Sequence, residues 1–288
     1  MSEAWWHPLV LGGLAGSIGE LVAQPMIVVR TRVMVQGVST DAGIVRYGGF
    51  VDACRTMLRT EGIKAFYKGA AVNAAFTPAC RGLYMGGVEL SKSVIGEGTA
   101  LKDFAAGTSA QLIGSLAYVP RDVIIERCAI DGQIKSQVGS CSSSIEALRT
   151  MLAHEGMRGF YRAFLPHQFV WIPYNGLFFA LLGRLSLFEQ EVGMPTNSFA
   201  VGVANTAACA AVAGWVTTPI DVIKTRVQVS GANPELFDFE GPLDCAVKLV
   251  RREGPRALFS GAVGRMMYLA PNMAIFIPVY EKLKSLVS

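Results

Sequence analysis

The sequence is poor in charge. Asp, Glu, Lys and Arg make up 17% of its 288 residues, whereas soluble domains carry about 25%. Apolar residues account for 51%, glycine occurs 31 times, and the mean hydropathy is +0.38. Such a composition is typical of helices packed within a bilayer, where small side chains let helix backbones approach closely.

Several functional classes also lack their usual signals. The six cysteines are scattered without C-x-x-C spacing and the three histidines are isolated, so neither a disulfide framework nor a metal site is indicated. No phosphate-binding glycine loop and no nucleophile–base pair supports an enzyme. The net charge of +4 is modest and does not predict nucleic-acid binding. The N-terminus carries Glu3 and no basic region, so we expect any organelle address to be internal.

A proline motif occurs three times along the chain. Its copies are PMIVVRTR, PRDVIIER and PIDVIKTR, which begin at Pro25, Pro120 and Pro219, 95 and 99 residues apart. A second motif keeps nearly the same period, at 94 and 98 residues: EGIKAFYKG, EGMRGFYRA and EGPRALFSG. Two signals at one period predict a threefold repeat. The predicted units are residues 1–97, 98–192 and 193–288, which together form one transmembrane domain.

Each repeat has the same plan of two apolar segments with a short amphipathic segment between them. The apolar segments exceed the roughly 20 residues that a membrane-spanning helix needs. They cover about 7–35, 70–93, 103–132, 164–187, 198–229 and 262–285. The short segments, such as FVDACRTMLRTEG, have the pattern of amphipathic helices lying at a surface. The connecting stretches are basic, which puts them on one side of the membrane and both termini on the other.

Three copies of Pro-x-acid-x-x-base-x-base, each followed by Glu-Gly and an aromatic–base–Gly element, resemble the mitochondrial carrier family over essentially the whole chain. The resemblance implies an all-α membrane protein of six tilted transmembrane helices around a pseudo-threefold axis, with three short amphipathic helices on the matrix side. It also implies a central substrate site with alternating access and a location in the mitochondrial inner membrane, both termini facing the intermembrane space. We expect a monomer whose partners are a small-molecule substrate and membrane lipid, with bound cardiolipin and no other cofactor.

The proline motif predicts a gate at the matrix side. Proline inside a helix kinks it, and the side chains two and five residues later share one face. Charges within a bilayer are costly unless they are paired or face a cavity, so acids and bases of neighbouring helices should pair in a ring. The gate positions are Ile27, Arg30, Asp122, Ile125, Asp221 and Lys224. The alternative is that these are helix-end charges near lipid headgroups.

This ring departs from the family pattern. The first copy has isoleucine in place of the acid, and the second has isoleucine in place of the base. When the family's pairing is carried over, Asp122 is expected to pair with Arg30. Asp221 and Lys224 then lose their partners and could pair with each other. These expectations describe a weakened gate with one interhelical ion pair and an apolar contact in place of the rest.

A second gate is expected at the opposite ends of the even-numbered helices. Its predicted members are Glu89, Lys92, Glu281 and Lys284. The middle repeat has no acid–base pair at the matching places, so this ring is incomplete as well. Ordinary surface pairing of residues three apart is the alternative.

Substrate contacts in the family lie about seven residues into each even-numbered helix. The same count, together with the arginines nearby, gives Phe76, Arg81, Val170, Trp171, Arg265 and Tyr268. Aromatic walls favour an apolar or planar substrate, or a cation over a ring face; plain packing is the alternative. The two arginines leave room for a carboxylate or phosphate on the substrate.

We therefore expect transport of a small metabolite across the inner mitochondrial membrane by alternating access, as an antiport. The alternative is a non-transporting membrane receptor or scaffold that reuses the same fold. The incomplete gates favour the scaffold. Charged gate residues that point into one cavity favour transport, since a scaffold has no use for them.

Overall fold

The computed structural model describes residues 7–36, 45–96, 100–131, 133, 144–161, 164–192, 199–230 and 239–287. The described residues form helices and no strand. The α-helices are α1 (His7–Val35), α2 (Phe50–Thr60), α3 (Ala70–Ile95), α4 (Ala100–Ile130), α5 (Ser144–His154), α6 (Gly156–Tyr161), α7 (Phe164–Val192), α8 (Phe199–Ser230), α9 (Pro242–Glu253) and α10 (Ala262–Val287). Two 3₁₀ segments, Ile63–Tyr67 and Pro255–Phe259, complete the fold.

The plan of each repeat is a long helix, a short helix, a single-turn segment and a second long helix. In the middle repeat the single turn is α6, and in the other two it is a 3₁₀ segment. The all-α prediction is confirmed. All six long helices coincide with the six predicted apolar segments to within a few residues, because those segments are long and uninterrupted except by proline.

The six long helices form a closed ring. Each packs against its neighbours in the order α1, α3, α4, α7, α8 and α10, and α10 returns to contact α1. Three of them carry the motif proline well inside the helix. A ring of helices encloses a central space, and the helix faces that line this space determine what the protein can bind.

The apolar character of the long helices is uneven. Within the described residues, two stretches are long and apolar enough to cross a membrane by length and composition, Gly156–Val192 and Ala200–Ser230. The other long helices contain polar and charged residues that lower their mean hydropathy. In α1, for example, Glu20, Arg30 and Arg32 are all buried. These charges are inside the protein, so the hydropathy of a single helix understates how apolar its outer surface is.

The two sequence motifs meet at one end of the ring. In every repeat, the base seven residues after the motif proline makes a bidentate ion pair with the glutamate of the Glu-Gly motif. The pairs are Arg32–Glu61, Arg127–Glu155 and Arg226–Glu253, with second hydrogen bonds of 2.9, 2.9 and 3.1 Å. Bidentate pairs fix geometry as well as charge. They hold each short helix against the end of its long helix, which explains why the two motifs recur together.

Two of these arginines also join neighbouring repeats. Arg32 Nε donates to the carbonyl oxygen of Ala129 at 2.7 Å, and Arg226 Nε donates to that of Met34 at 2.9 Å. The first bond links repeat one to repeat two, and the second links repeat three to repeat one. The buried guanidinium groups therefore satisfy backbone carbonyls at helix ends, where no intrahelical donor remains.

Candidate functional site

A cavity of about 430 Å³ lies inside the ring of long helices. Its charged and polar lining residues are Glu20, Arg81, Gln111, Arg121, His167 and Asn175. Its aromatic lining residues are Tyr84, Tyr118, Trp171, Phe178, Phe179, Tyr268 and Phe276. These come from α1, α3, α4, α7 and α10. Small-molecule sites typically have about 300–1,000 Å³ and an apolar wall with a few placed polar groups, and this cavity fits that description.

Three of the six predicted substrate contacts line the cavity: Arg81, Trp171 and Tyr268. Phe76 does not, and it is 38% exposed on the outside of α3. Val170 is buried but belongs to a packed face rather than to the lining. In α3 the lining residues are Arg81, Tyr84 and Met85, five or more positions after Phe76. In α7 the count is off by one position, since Trp171 rather than Val170 lines the cavity. One residue turns a helical side chain by about 100°, which is enough to move it off the inner face.

The cavity contains a buried carboxylate that the motif analysis did not identify. Glu20 of α1 is 1% exposed and lies five residues before Pro25. Its Oε1 is 3.3 Å from Arg81 Nη2 and 3.8 Å from Arg121 Nη1. The Tyr268 hydroxyl donates to the same oxygen at 3.2 Å. An acid within an otherwise apolar segment was the available signal, because charge at membrane depth marks a functional residue.

Arg81 is the basic partner of this carboxylate. Its Nη2 also donates to Asn272 Oδ1 at 3.1 Å, and its guanidinium lies 4.4 Å from the centre of the Phe276 ring. Its Nε is buried without a hydrogen-bond partner. Gly16 makes room for it, since a Cβ there would lie 2.5 Å from Arg81 Cγ. Arg81 thus lines the cavity while its Nη2 is shared between Glu20 and Asn272.

Arg121 follows directly after a motif proline, and its guanidinium is already engaged. Nη2 and Nε donate to Asp122 Oδ1 at 2.8 and 3.1 Å, and Nη1 donates to the Thr77 hydroxyl at 3.1 Å. Arg121 therefore ties the cavity wall to the gate below it rather than presenting a free charge.

The gate lies next to the cavity and is a network of buried ion pairs. Arg30 Nη1 is 3.3 Å from Asp221 Oδ2, and Lys224 Nζ is 3.6 Å from Asp122 Oδ2. Lys224 Nζ is also 3.2 Å from Glu126 Oε1. Every one of these side chains is at most 12% exposed. Breaking a buried pair is strongly destabilising because it leaves an uncompensated charge.

The predicted pairing of Asp122 with Arg30 is wrong. The structure pairs Arg30 with Asp221 and Asp122 with Lys224, so the acid of each proline helix meets the base of the following helix around the ring. Asp221 and Lys224 are therefore not orphans, and they have no need to pair with each other. The motif spacing defines which residues face inward but not the direction in which they pair.

Ile27 and Ile125 occupy the third link of the gate. In this direction of pairing, the acid position of α1 faces the base position of α4, and both are isoleucine. Both side chains belong to the same buried apolar cluster, at 6% and 3% exposure. Among the three proline helices the gate therefore has two ionic links and one apolar link, and the double replacement removes one acid and one base together.

Arg265 belongs to the gate rather than to the cavity lining. Its guanidinium makes an ion pair with Asp221, and Nη2 donates to the Thr217 hydroxyl at 3.0 Å. Glu126 is a further gate residue that the motif spacing missed, because it lies one residue past the expected base position.

The predicted second gate is described only in part. Glu89 is exposed on α3, and Lys92 lies one turn later on the same helix. The side chains of Glu281 and Lys284 lie outside the described residues. This ring remains a prediction.

The profile of a family described as "Mitochondrial carrier protein" matches residues 2–99, 96–189 and 195–288. The chain is 30% identical to Mitochondrial substrate carrier family protein E of Dictyostelium discoideum, covering 96% of this chain and 95% of the relative. It is 30% identical to Solute carrier family 25 member 44 of Homo sapiens, covering 91% and 85%. It is 27% identical to Probable S-adenosylmethionine carrier 2, chloroplastic, of Arabidopsis thaliana, covering 98% and 75%.

Proposed function

Because the chain belongs to the mitochondrial carrier family, we propose that it exchanges a small metabolite across the mitochondrial inner membrane by alternating access. The observation that supports this most directly is the cavity of about 430 Å³ that ends at a network of buried ion pairs inside the ring. A receptor or scaffold would need neither a polar cavity nor costly buried charges beneath it. We further propose a monomer with both termini toward the intermembrane space and with cardiolipin as its structural lipid.

The gate gives this mechanism its physical basis. In the present conformation Arg30–Asp221 and Asp122–Lys224 close one end of the cavity. Opening that end separates the pairs, and water or substrate must then compensate the exposed charges. A ligand shifts such an equilibrium only by its differential affinity for the two states. Arg121 contacts both the cavity and Asp122, so it is the residue through which we expect substrate binding to affect the gate.

The cavity lining defines the expected substrate. Arg81 offers a cationic group to a carboxylate or phosphate, while Trp171 and Phe178 offer an apolar and planar surface. One relative is named as an S-adenosylmethionine carrier, and that compound combines charged groups with a planar ring. We propose a small charged metabolite with an apolar or planar part.

A thermal-shift screen of the detergent-purified protein tests this proposal. The library contains amino acids, 2-oxo acids, nucleotides and cofactors, including S-adenosylmethionine. A ligand that binds only the folded state raises the melting temperature. At a concentration of 100 times its Kd, it adds about 2.7 kcal/mol to the free energy of unfolding. Uptake of each hit into proteoliposomes then measures transport.

Two variants make the result specific to the cavity. Arg81→Ala is expected to abolish both the shift and the uptake, and Phe76→Leu, on the exposed side of the same helix, is expected to leave them unchanged. A folded protein that binds nothing in the library and takes up nothing would contradict transport and favour the scaffold.

A further inference from the structure

We propose that the substrate is a zwitterion, an amino-acid-like compound whose anionic group binds Arg81 and whose cationic group binds Glu20. This inference rests on the proposed transport function and narrows its substrate class. It follows from the contacts that Glu20 and Arg81 make in the cavity.

The charged side chains of the cavity determine which charges on a ligand they can match. Three charged side chains line it: Glu20, Arg81 and Arg121. Arg121 is committed to Asp122 through two hydrogen bonds. The other two, Glu20 and Arg81, are opposite in charge, and Glu20 Oε1 lies 3.3 Å from Arg81 Nη2. The cavity therefore offers one acidic and one basic group, with no net charge between them.

Ligands of different charge differ in which cavity residue they leave without an ion-pair partner. A purely anionic ligand that binds Arg81 separates Glu20 from its closest basic partner. The other basic neighbour of Glu20, Arg121, is 3.8 Å away and already bonded to Asp122. A purely cationic ligand that binds Glu20 leaves Arg81 without its carboxylate partner instead. A buried charge without a partner is strongly unfavourable. A zwitterion alone replaces the one internal ion pair with two new pairs and strands neither residue.

The hydrogen bonds that Glu20 and Arg81 make in the cavity leave both side chains able to bind a ligand. Arg81 has a buried Nε without a partner, and its Nη2 divides its bonding between Glu20 and Asn272. The carboxylate of Glu20 accepts a hydrogen bond from the Tyr268 hydroxyl, and a cationic group of the ligand can replace this neutral donor. The Trp171 indole Nε1 is a further donor without a partner.

The rest of the lining suits a large apolar or planar substituent. Phe178, Phe179 and Phe276 contribute ring surface on α7 and α10. The substrate class is therefore a compound with adjacent anionic and cationic groups and an apolar side group.

The experiment compares compounds that differ by one charge. The full-length protein in detergent is melted with L-phenylalanine, phenylpyruvate and 2-phenylethylamine, and with the corresponding amino acid, 2-oxo acid and amine of leucine and methionine. S-Adenosylmethionine is included as a larger amino acid that carries an additional positive charge on sulfur. We expect at least one zwitterion to raise the melting temperature, with a half-saturating concentration at least tenfold below those of its one-charge analogues.

Substitutions at the two charges test the assignment. Glu20→Gln is expected to weaken binding of the zwitterion at least tenfold and to improve the relative binding of the 2-oxo acid. Glu20→Gln combined with Arg81→Gln removes both charges without stranding either, so it covers the case in which the single variant does not fold. The double variant should lose the preference for zwitterions altogether, while Phe76→Leu should retain it.

Four results of the melting experiments would overturn the inference: equal stabilisation by zwitterions and 2-oxo acids, stabilisation by amines alone, no stabilisation by any zwitterion, or an unchanged preference in Glu20→Gln. Proteoliposome uptake of a purely anionic compound would overturn it while leaving the proposed transport function standing. Absence of any uptake, by contrast, would count against transport itself.

Discussion

At the scale of single residues, positions in the cavity and in the gate differ from their immediate sequence neighbours in what their side chains contact. Trp171 lines the cavity, and its neighbour Val170 does not. Glu126 contacts Lys224, and its neighbour Ile125 is part of an apolar cluster. A helix turns by about 100° per residue, so each functional position is defined to within a single residue.

Gly16 is a residue-scale feature with a direct test. Its missing side chain leaves the space that Arg81 Cγ occupies, where a Cβ would be only 2.5 Å away. We expect Gly16→Ala to displace Arg81 and to weaken ligand binding at least tenfold, measured by the ligand-dependent melting temperature. Gly107→Ala is the control, since a Cβ at Gly107 meets no atom within 4 Å. Equal effects of the two substitutions would contradict this role for Gly16.

At the scale of elements, the recurring arginine–glutamate pair attaches each short helix to a long one. Burial of Glu61 opposes its ionisation, but the hydrogen bond and charge of Arg32 outweigh burial and lower the pKa of the Glu61 carboxyl. A carboxyl with a lowered pKa in the folded state stabilises the fold above its unfolded pKa, about 4.3. That contribution disappears as the pH falls through the folded pKa.

Glu61→Gln is therefore expected to lower the melting temperature at neutral pH. The difference from the unsubstituted protein should persist down to about pH 5 and shrink at lower pH, because the native carboxyl then loses its charge as well. Melting curves from pH 7 to pH 3 measure this. Asp244→Asn, at a surface pair with Lys248, is the matched control, and we expect a much smaller change because solvent screens a surface pair. A difference that did not vary with pH would show that the charge of Glu61 is not the cause.

At the scale of the whole molecule, the gate is asymmetric. Of the three links between the proline helices α1, α4 and α8, two are ionic, and the third is formed by Ile27 and Ile125 within an apolar cluster. At the level of the gate, the seam between α1 and α4 therefore has no ion pair to separate; the ion pair Glu20–Arg121 across the same seam, at 3.8 Å, lies in the cavity wall. We infer that this seam offers less electrostatic resistance to opening than the other two.

Restoring the third ionic link tests this inference. Ile27→Glu alone and Ile125→Lys alone each bury an unpaired charge, at an expected cost of about 3–5 kcal/mol. The double variant should recover part of that loss, with a coupling energy of about 0.5–3 kcal/mol between the two sites. It should also slow exchange in proteoliposomes, because an additional pair must separate. Additive destabilisation with an unchanged transport rate would contradict a gate at this seam.

The sequence by itself determined the features that repeat along the chain. The threefold period, the six long helices and the inward-facing positions after each proline follow from local spacing, which needs no knowledge of the neighbours. The structure confirms the all-α architecture built from these segments. An isolated charge such as Glu20 was also visible in the sequence, although its partners were not.

Only the tertiary structure decided which of these residues meet. Asp122 pairs with Lys224 rather than with Arg30, and Arg265 joins the gate rather than the cavity. Partners in the gate lie far apart in the sequence, at 102 residues for Asp122 and Lys224 and 191 for Arg30 and Asp221, and the direction of pairing depends on how the helices follow one another around the ring. Periodicity determines the face on which a side chain lies, whereas packing of the closed ring determines the residue that this face meets.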